Sequence, residues 1–214
     1  VKIEVLEKSD ERVKVHLTGV SRAYANAIRR IALSEVPCMA IDDVVILENS
    51  SVMYDELLAH RLGLVPLKTD LSRYILPENC DCNSPLGCSK CRVLLVLDAE
   101  AKEGKKEVVS GDLQSEDEDI VPTSPNIQLA TLAPHQKIKL EAYARLGKGK
   151  DHAKWRPASI SVLTPALDDD TGEDYLLEIE SVGSLTAGEI FVKSVDILNE
   201  KLQTFTERVR SLHK

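Results

Sequence analysis

LTAGEIFVKSVDILNEKLQTFTERVRSLHK, residues 185–214, carries the pattern of one long helix. Thr186 can cap its start, and Glu189 stands three residues later, which is a capping-box arrangement. Large apolar residues then fall at Phe191, Val195, Leu198, Leu202, Phe205, Val209 and Leu212. The steps alternate four, three, four, three, the seam of a helix that packs along its length. Lys193, Asp196, Glu200, Lys201, Glu207, Arg208 and Arg210 make a solvated flank. No Pro interrupts the run, and no Gly follows Gly188.

A fully buried apolar side chain contributes about 1.5–3 kcal/mol. Seven of them represent roughly 10–20 kcal/mol of gross burial, a large figure beside a net stability of about 5–15 kcal/mol. A seam of that size needs a cover. The cover is either the chain's own sheet or the surface of another subunit, and a seam held for three heptads favours the second.

Composition narrows the classes. A chain of 214 residues makes one large or two small domains with a real core. Lys+Arg 27 against Asp+Glu 35 leaves a net charge of −8. That balance argues against general affinity for a nucleic-acid backbone, which needs surplus cations. Aromatic residues are 4%, which argues against base stacking. No run of about 18 apolar residues is present to span a membrane. The opening VKIEVLEKSDERVKV has no apolar signal core. A cytoplasmic location is expected. Of five cysteines, Cys38 stands alone, while Cys80, Cys82, Cys88 and Cys91 cluster. In a reducing compartment such a cluster reads as metal before disulfide.

Val1–Leu6 and Arg12–Leu17 are predicted strands joined by a turn at Ser9-Asp-Glu11. His16 then falls on the polar side. Ser21 can cap a helix from Arg22 to about Val36, closed by Pro37. Its faces read as Tyr24, Ala27, Ile28, Ile31 and Glu35 on one side, and Arg22, Asn26, Arg29, Arg30 and Leu33 on the other. Adjacent Arg29 and Arg30 are either snorkelling side chains or a guanidinium fork for a carboxylate or carbonyl on a neighbouring subunit. Met39–Leu47 is a predicted strand and Tyr54–Leu62 a short helix. His60 and Arg61 near Asp55 and Glu56 could do acid–base chemistry, but on so short a helix surface charge pairing is the better reading.

Cys80-Asp-Cys82, five residues, then Cys88-Ser-Lys-Cys91 can close a tetrahedral site, with Pro85 and Gly87 to turn the chain. Four cysteine ligands leave no open coordination position, so its role would be structural. Disulfides and free thiols are the alternatives. Further strands are predicted at Arg92–Ala99, Ile127–Leu132, Lys137–Leu146, Ser159–Leu163 and Tyr175–Ser181, with a turn at 103–107. The acidic runs 115–119 and 168–174 read as solvated loop and turn. Gly147-Lys-Gly-Lys150 is not a phosphate loop: no Ser or Thr follows the lysine, and Asp151 would repel phosphate. Trp155, the only tryptophan, is expected to pack at a junction.

The combined landmarks resemble one family. Asn26-Ala-Ile-Arg-Arg30, Ser34-Glu-Val-Pro37, Ala40-Ile-Asp-Asp-Val44 and Tyr54-Asp-Glu-Leu-Leu-Ala-His-Arg-Leu-Gly-Leu-Val-Pro66 are similar to the D subunits of archaeal DNA-directed RNA polymerase. Gly147-Lys-Gly-Lys-Asp-His-Ala-Lys-Trp-Arg-Pro157 and Leu177-Glu-Ile-Glu-Ser-Val-Gly-Ser184 follow in the same order. That family is related to the eukaryotic third-largest subunit and the bacterial alpha amino-terminal domain.

The resemblance implies an α+β fold: a discontinuous dimerisation domain from residues 1–46 and 158–214, with a mainly-β insert at 47–157. It implies a non-catalytic assembly platform within a nucleotidyltransferase complex. Such a platform pairs with subunit L through its two helices, then gathers the two large subunits and further small ones. Arg29 and Arg30 match a pair at the large-subunit contact. Ile28, Ile31, Phe191, Val195, Leu198, Leu202, Phe205 and Val209 would meet subunit L. The cysteine cluster falls where related subunits carry a zinc loop, with two more residues between its pairs than the eukaryotic form has. Some archaeal members carry an iron–sulfur domain before the last strand. Here Thr164–Asp174 stands in that place without a cysteine, so no such cluster is expected. No membrane or sequence-specific nucleic-acid contact is expected. A rival reading is a metal-dependent enzyme built on His60, His152 and the cysteines, which requires an open coordination position; another is a free-standing zinc adaptor.

Overall fold

The computed structural model describes residues 1–82, 84, 87–166 and 174–212. In chain order the elements are β1 (Lys2–Lys8), β2 (Arg12–Thr18), α1 (Arg22–Ser34), β3 (Pro37–Asn49), α2 (Asp55–Gly63), β4 (Arg92–Glu100), β5 (Lys106–Val109), β6 (Gln114–Ser115), β7 (Gln128–Leu132), β8 (Lys137–Lys148), β9 (Ala158–Pro165), β10 (Tyr175–Ser181) and α3 (Ala187–Leu212). The chain is α+β. It divides into two compact units: Val1–Val36 with Lys148–Lys214, and Pro37–Gly147. Both divisions fall ten residues earlier than those read at 46/47 and 157/158. The reason is continuity: β3 is one strand from Pro37 and belongs whole to the inserted sheet.

In the discontinuous unit, four antiparallel strands lie in the order β1-β2-β10-β9. The first two strands of the sequence therefore pair with the last two. Across the central pair, Val13 meets Ile179, Val15 meets Leu177 and Leu17 meets Tyr175. All six are buried, while the alternate residues Arg12, Lys14 and His16 line the other face, as a period of two requires. Helix α1 lies over β9 and β10, and α3 lies over β10 and β2. Ser21 caps α1 by accepting the Tyr24 N–H at 3.3 Å. The core face of α1 is Ala25, Ile28, Ile31 and Ala32, with Tyr24 exposed. Two alanines on that line let the helix approach the sheet closely.

The turn after β8 closes onto α1. The Lys150 N–H bonds the Ser34 carbonyl at 2.8 Å, satisfying one of the last helix acceptors. A Cβ on Gly149 would sit 2.3 Å from the Leu33 carbonyl oxygen and 2.8 Å from Arg156 Cγ, so only glycine fits there. The Gly-Lys-Gly-Lys stretch is thus a helix cap. His152 serves locally, its Nδ1 accepting the Lys154 N–H. Trp155 is buried, with the Lys154 ammonium 4.4 Å from its ring centre.

The inserted unit holds a sheet ordered β3-β8-β4-β6 and a two-stranded ribbon, β5 with β7. Its core joins Leu95, Leu97, Ile138 and Leu140 from the sheet with Leu58 and Leu62 of α2. Strands β5 and β6 were not read from the sequence: the turn expected at 103–107 runs into β5 at Lys106, and β6 is only two residues long. Arg73 bridges Asp117 and Asp119 at 3.0 and 2.9 Å, and the Tyr74 hydroxyl donates to Asp117. The acidic run 115–119 is therefore partly tied down rather than simply solvated.

Candidate metal centre and candidate partner surface

The cysteine loop hangs from the start of β4. A single 3-10 turn, Pro77–Asn79, delivers Cys80. The Ile75 N–H donates to the Lys90 carbonyl at 3.0 Å and closes the loop's base. The N–H groups of Cys91 and Arg92 both donate to the Cys88 carbonyl at 2.9 Å, and the Cys88 N–H points at Cys91 Sγ at 3.2 Å. Gly87 takes φ +81°, and a Cβ there would stand 3.1 Å from Cys91 Sγ. Pro85, the other residue expected to turn this loop, lies outside the described residues.

These turns bring all four cysteine sulfurs within 4.8 Å of one another. Cys80–Cys88 is 3.7 Å, Cys82–Cys91 is 3.8 Å and Cys88–Cys91 is 3.8 Å. A tetrahedral ion with metal–sulfur bonds of about 2.3 Å sets its sulfurs about 3.8 Å apart, so the cage has the size a metal needs. A disulfide needs about 2.05 Å, and all five cysteines are free thiols. No histidine joins the set among the described residues. His60 lies exposed in the last turn of α2, and the neighbouring Arg61 donates to the Gln128 carbonyl at 2.6 Å.

The thiols divide in acidity. The Lys90 N–H draws Cys88 down to about 7, against desolvation and with help from neighbouring sulfurs. At Cys80 the Cys82 N–H pulls downward, but desolvation and the hydrogen bonds with Cys82, Cys88 and Cys91 push the thiol up to about 12. Burial raises Cys91. The cage thus has one ready thiolate and others that a cation must deprotonate.

The second surface belongs to the discontinuous unit. The expected capping box starts α3: the Thr186 N–H and hydroxyl both reach Glu189 Oε2, at 2.8 and 2.7 Å, and the Glu189 N–H returns to Thr186 Oγ1 at 3.3 Å. The buried line is Ala187, Ile190 and Ser194. At about 100° per residue it is centred roughly 60° around the helix from the seam. The seam is therefore not the core face. Phe191, Val195 and Leu198 are half-buried, and from Lys201 to Leu212 every residue is exposed. Leu202 is 50% and Phe205 67% exposed. The small side chains of Ala187 and Ser194 hid the core face from a count of large apolar residues. Lys201 reaches Glu35 at the end of α1.

The α1 residues expected at a partner contact have these surroundings. Ile28 and Ile31 are buried in their own unit, 2% and 5% exposed. Arg29 is also engaged at home: Nε donates to Asn26 Oδ1 at 2.8 Å, and the guanidinium reaches the Ser161 carbonyl of β9 at 3.5 Å. Arg30 is exposed, with no ion pair among the described residues.

The chain is thus a discontinuous α+β unit carrying a mainly-β insert with a four-cysteine cluster. Residues 39–164 match the RNA polymerase Rpb3/RpoA insert domain, and the chain belongs to that family. It is similar to proteins named DNA-directed RNA polymerase subunit Rpo3. That of Methanosphaera stadtmanae is 46% identical over 156 residues, 72% of this chain and 57% of the relative. That of Pyrococcus horikoshii is 45% identical over 157 residues, 73% and 57%, and that of Pyrobaculum islandicum 49% over 161 residues, 75% and 60%. The matched part is less than two thirds of each relative's length. No helix among the described residues is long and apolar enough to cross a membrane.

Proposed function

We propose that this chain is a non-catalytic assembly-platform subunit of an archaeal DNA-directed RNA polymerase. It pairs with the polymerase's subunit L and then gathers the two large subunits and further small ones for DNA-templated RNA synthesis. The open seam of α3, from Leu202 to Leu212, carries this reading. Apolar side chains at that spacing gain stability only when another helix covers them, and their own unit does not. The Rpo3 names of the relatives support the polymerase as the setting. Arg30, with Arg29 beside it, is assigned to the large-subunit contact. Four thiols at tetrahedral spacing, with no fifth ligand among the described residues, suit zinc in a structural role. Thr164–Asp174 contains no cysteine, which supports an absence of iron–sulfur chemistry there; residues 167–173 lie outside the described residues.

Co-expression tests the reading. With subunit L, the chain is expected to run as a soluble one-to-one complex by native mass spectrometry; alone, it self-associates. A stable, monodisperse monomer that ignores subunit L would end the proposal.

A further inference from the structure

The cysteine cage shares a cavity with two arginines. The cavity, of about 110 Å³, is lined by Cys80, Cys82 and Cys91 of the loop, by Arg92 of β4, and by Tyr143 and Arg145 of β8. Arg92 and Arg145 stand directly opposite each other in the antiparallel register, so their side chains leave the sheet on the same face. Like charges placed that way repel. Arg145 is matched by an ion pair with Asp42. Arg92 has no ion pair among the described residues. Its guanidinium lies 4.7 Å from the centre of the Tyr143 ring, a contact that holds it half-buried without neutralising it.

The nearby carboxylates are committed elsewhere. Glu141 accepts the Tyr143 hydroxyl at 2.6 Å, and Glu116 accepts the Leu94 N–H at 2.8 Å. Asp43, also on the cavity wall, is exposed and forms no ion pair with Arg92. The charge that would match Arg92 stands on the loop side of the cavity. Four thiolates around a divalent ion keep two negative charges in excess. A Cβ on Gly87 would stand 3.1 Å from Cys91 Sγ and 3.5 Å from Arg92 Cδ. By that triangle the sulfur and the arginine stem are closer together than the Debye length of about 8 Å at physiological salt, so their interaction survives screening.

We infer that Arg92 is the counter-charge of the loaded cage, a positioning residue that touches no metal but offsets the excess negative charge of the metal–tetrathiolate unit and so tightens its hold on a divalent ion. Groups just outside a ligand set commonly change metal affinity by roughly 10–100-fold. The inference rests on the proposed metal reading of the cysteines and adds to it a residue that the four-ligand pattern does not contain.

Zinc binding by the full chain tests it, measured at neutral pH by competition with a chromophoric chelator. Four forms are compared: the parent, Arg92→Gln, Arg92→Lys and Lys139→Gln. The last removes the same charge from the same face of β8, six residues and roughly 20 Å from Arg145. Arg92→Gln is expected to weaken zinc binding about tenfold. Arg92→Lys, which keeps the charge, should restore most of that loss, and Lys139→Gln should bind as the parent does. Urea melts of the metal-free chains separate charge from packing. There the midpoint of Arg92→Gln should not fall below the parent's, because the stacking lost on Tyr143 is offset by relief of the repulsion from Arg145. Unchanged affinity in Arg92→Gln, an equal loss in Arg92→Lys or Lys139→Gln, or a lowered metal-free midpoint would overturn the counter-charge and leave the metal site standing. If the parent takes up no zinc, the metal reading itself fails and this inference fails with it.

Discussion

The cysteine loop at 77–92 and the outer half of α3 at 201–212 face the same shortage and meet it in opposite ways. Neither buries enough apolar surface within its own chain to hold itself. The loop answers with chemistry it carries: four sulfurs converge at metal-ligand distance, and one cation can fasten them. The helix answers with an apolar seam that its own unit leaves exposed. Closure from within makes a segment independent of its company. Closure from without makes its order a report on assembly.

Metal removal should give the largest effect and the cleanest separation of the two regions. A structural zinc site contributes about 10–16 kcal/mol of binding free energy at neutral pH. Chelation, or Cys88→Ser, should free the amides of 75–92 to exchange while those of 201–212 keep their rate in the same hydrogen-exchange experiment. Metal affinity should also rise from about pH 6 to about pH 8, because protons and cation compete for sulfur. Cys80, pushed up to about 12, holds a proton that binding must expel, and Cys88, near 7, is about half ionised at neutrality. A flat affinity across that range would mean the sulfurs are not the ligands.

A smaller effect is expected beside the loop. Tyr74→Phe removes the hydroxyl that donates to Asp117, while Arg73 remains. The loss should be about 1–2 kcal/mol by urea melts, at the low end for a hydrogen bond to a charged group. That hydrogen bond, chiefly, lowers the Asp117 carboxyl below its ordinary value. A depressed carboxyl stabilises the fold above its unfolded value of about 3.9 and loses that contribution as pH falls through the folded one. Parent and variant should therefore converge in acid, and a gap that stayed constant would disprove the coupling.

The smallest effect belongs to the open helix. Phe205→Ala should shift the stability of the unpartnered chain by no more than about 0.5 kcal/mol, as surface substitutions do. In the buried core of the insert, Leu95→Ala should cost about 2–5 kcal/mol. A large cost at Phe205 without a partner would erase the contrast between the two regions.

Much of this was legible in the residues because local chemistry wrote it. The capping box of α3, the hairpin of β1 and β2, and the alternation of β8 each follow from neighbours in sequence. The four-cysteine cage was legible as a set, but its tetrahedral spacing depends on turns at Asn79 and Gly87. Other features are decided by distant contacts. Ile28 and Ile31 look like any apolar helix face until β9 and β10 arrive beneath them. Arg29 finds an acceptor on Ser161, 132 positions away. The split of α3 into a small-residue core line and a large-residue open seam escaped a count that weighs residues by size. The binding of Arg73 and Tyr74 to an acidic run more than 40 residues later had no local signal.

The pairing of β2 with β10 has a consequence for biosynthesis. Val13 waits for Ile179, a separation of 166 positions, and long-range pairing of this kind is slow to form. A ribosome must deliver the whole intervening insert before the first hairpin meets its neighbour, and α3 emerges later still. A nascent chain that stopped between Gly147 and Tyr175 would carry the insert without the strand that β2 pairs with, so the discontinuous unit could not close.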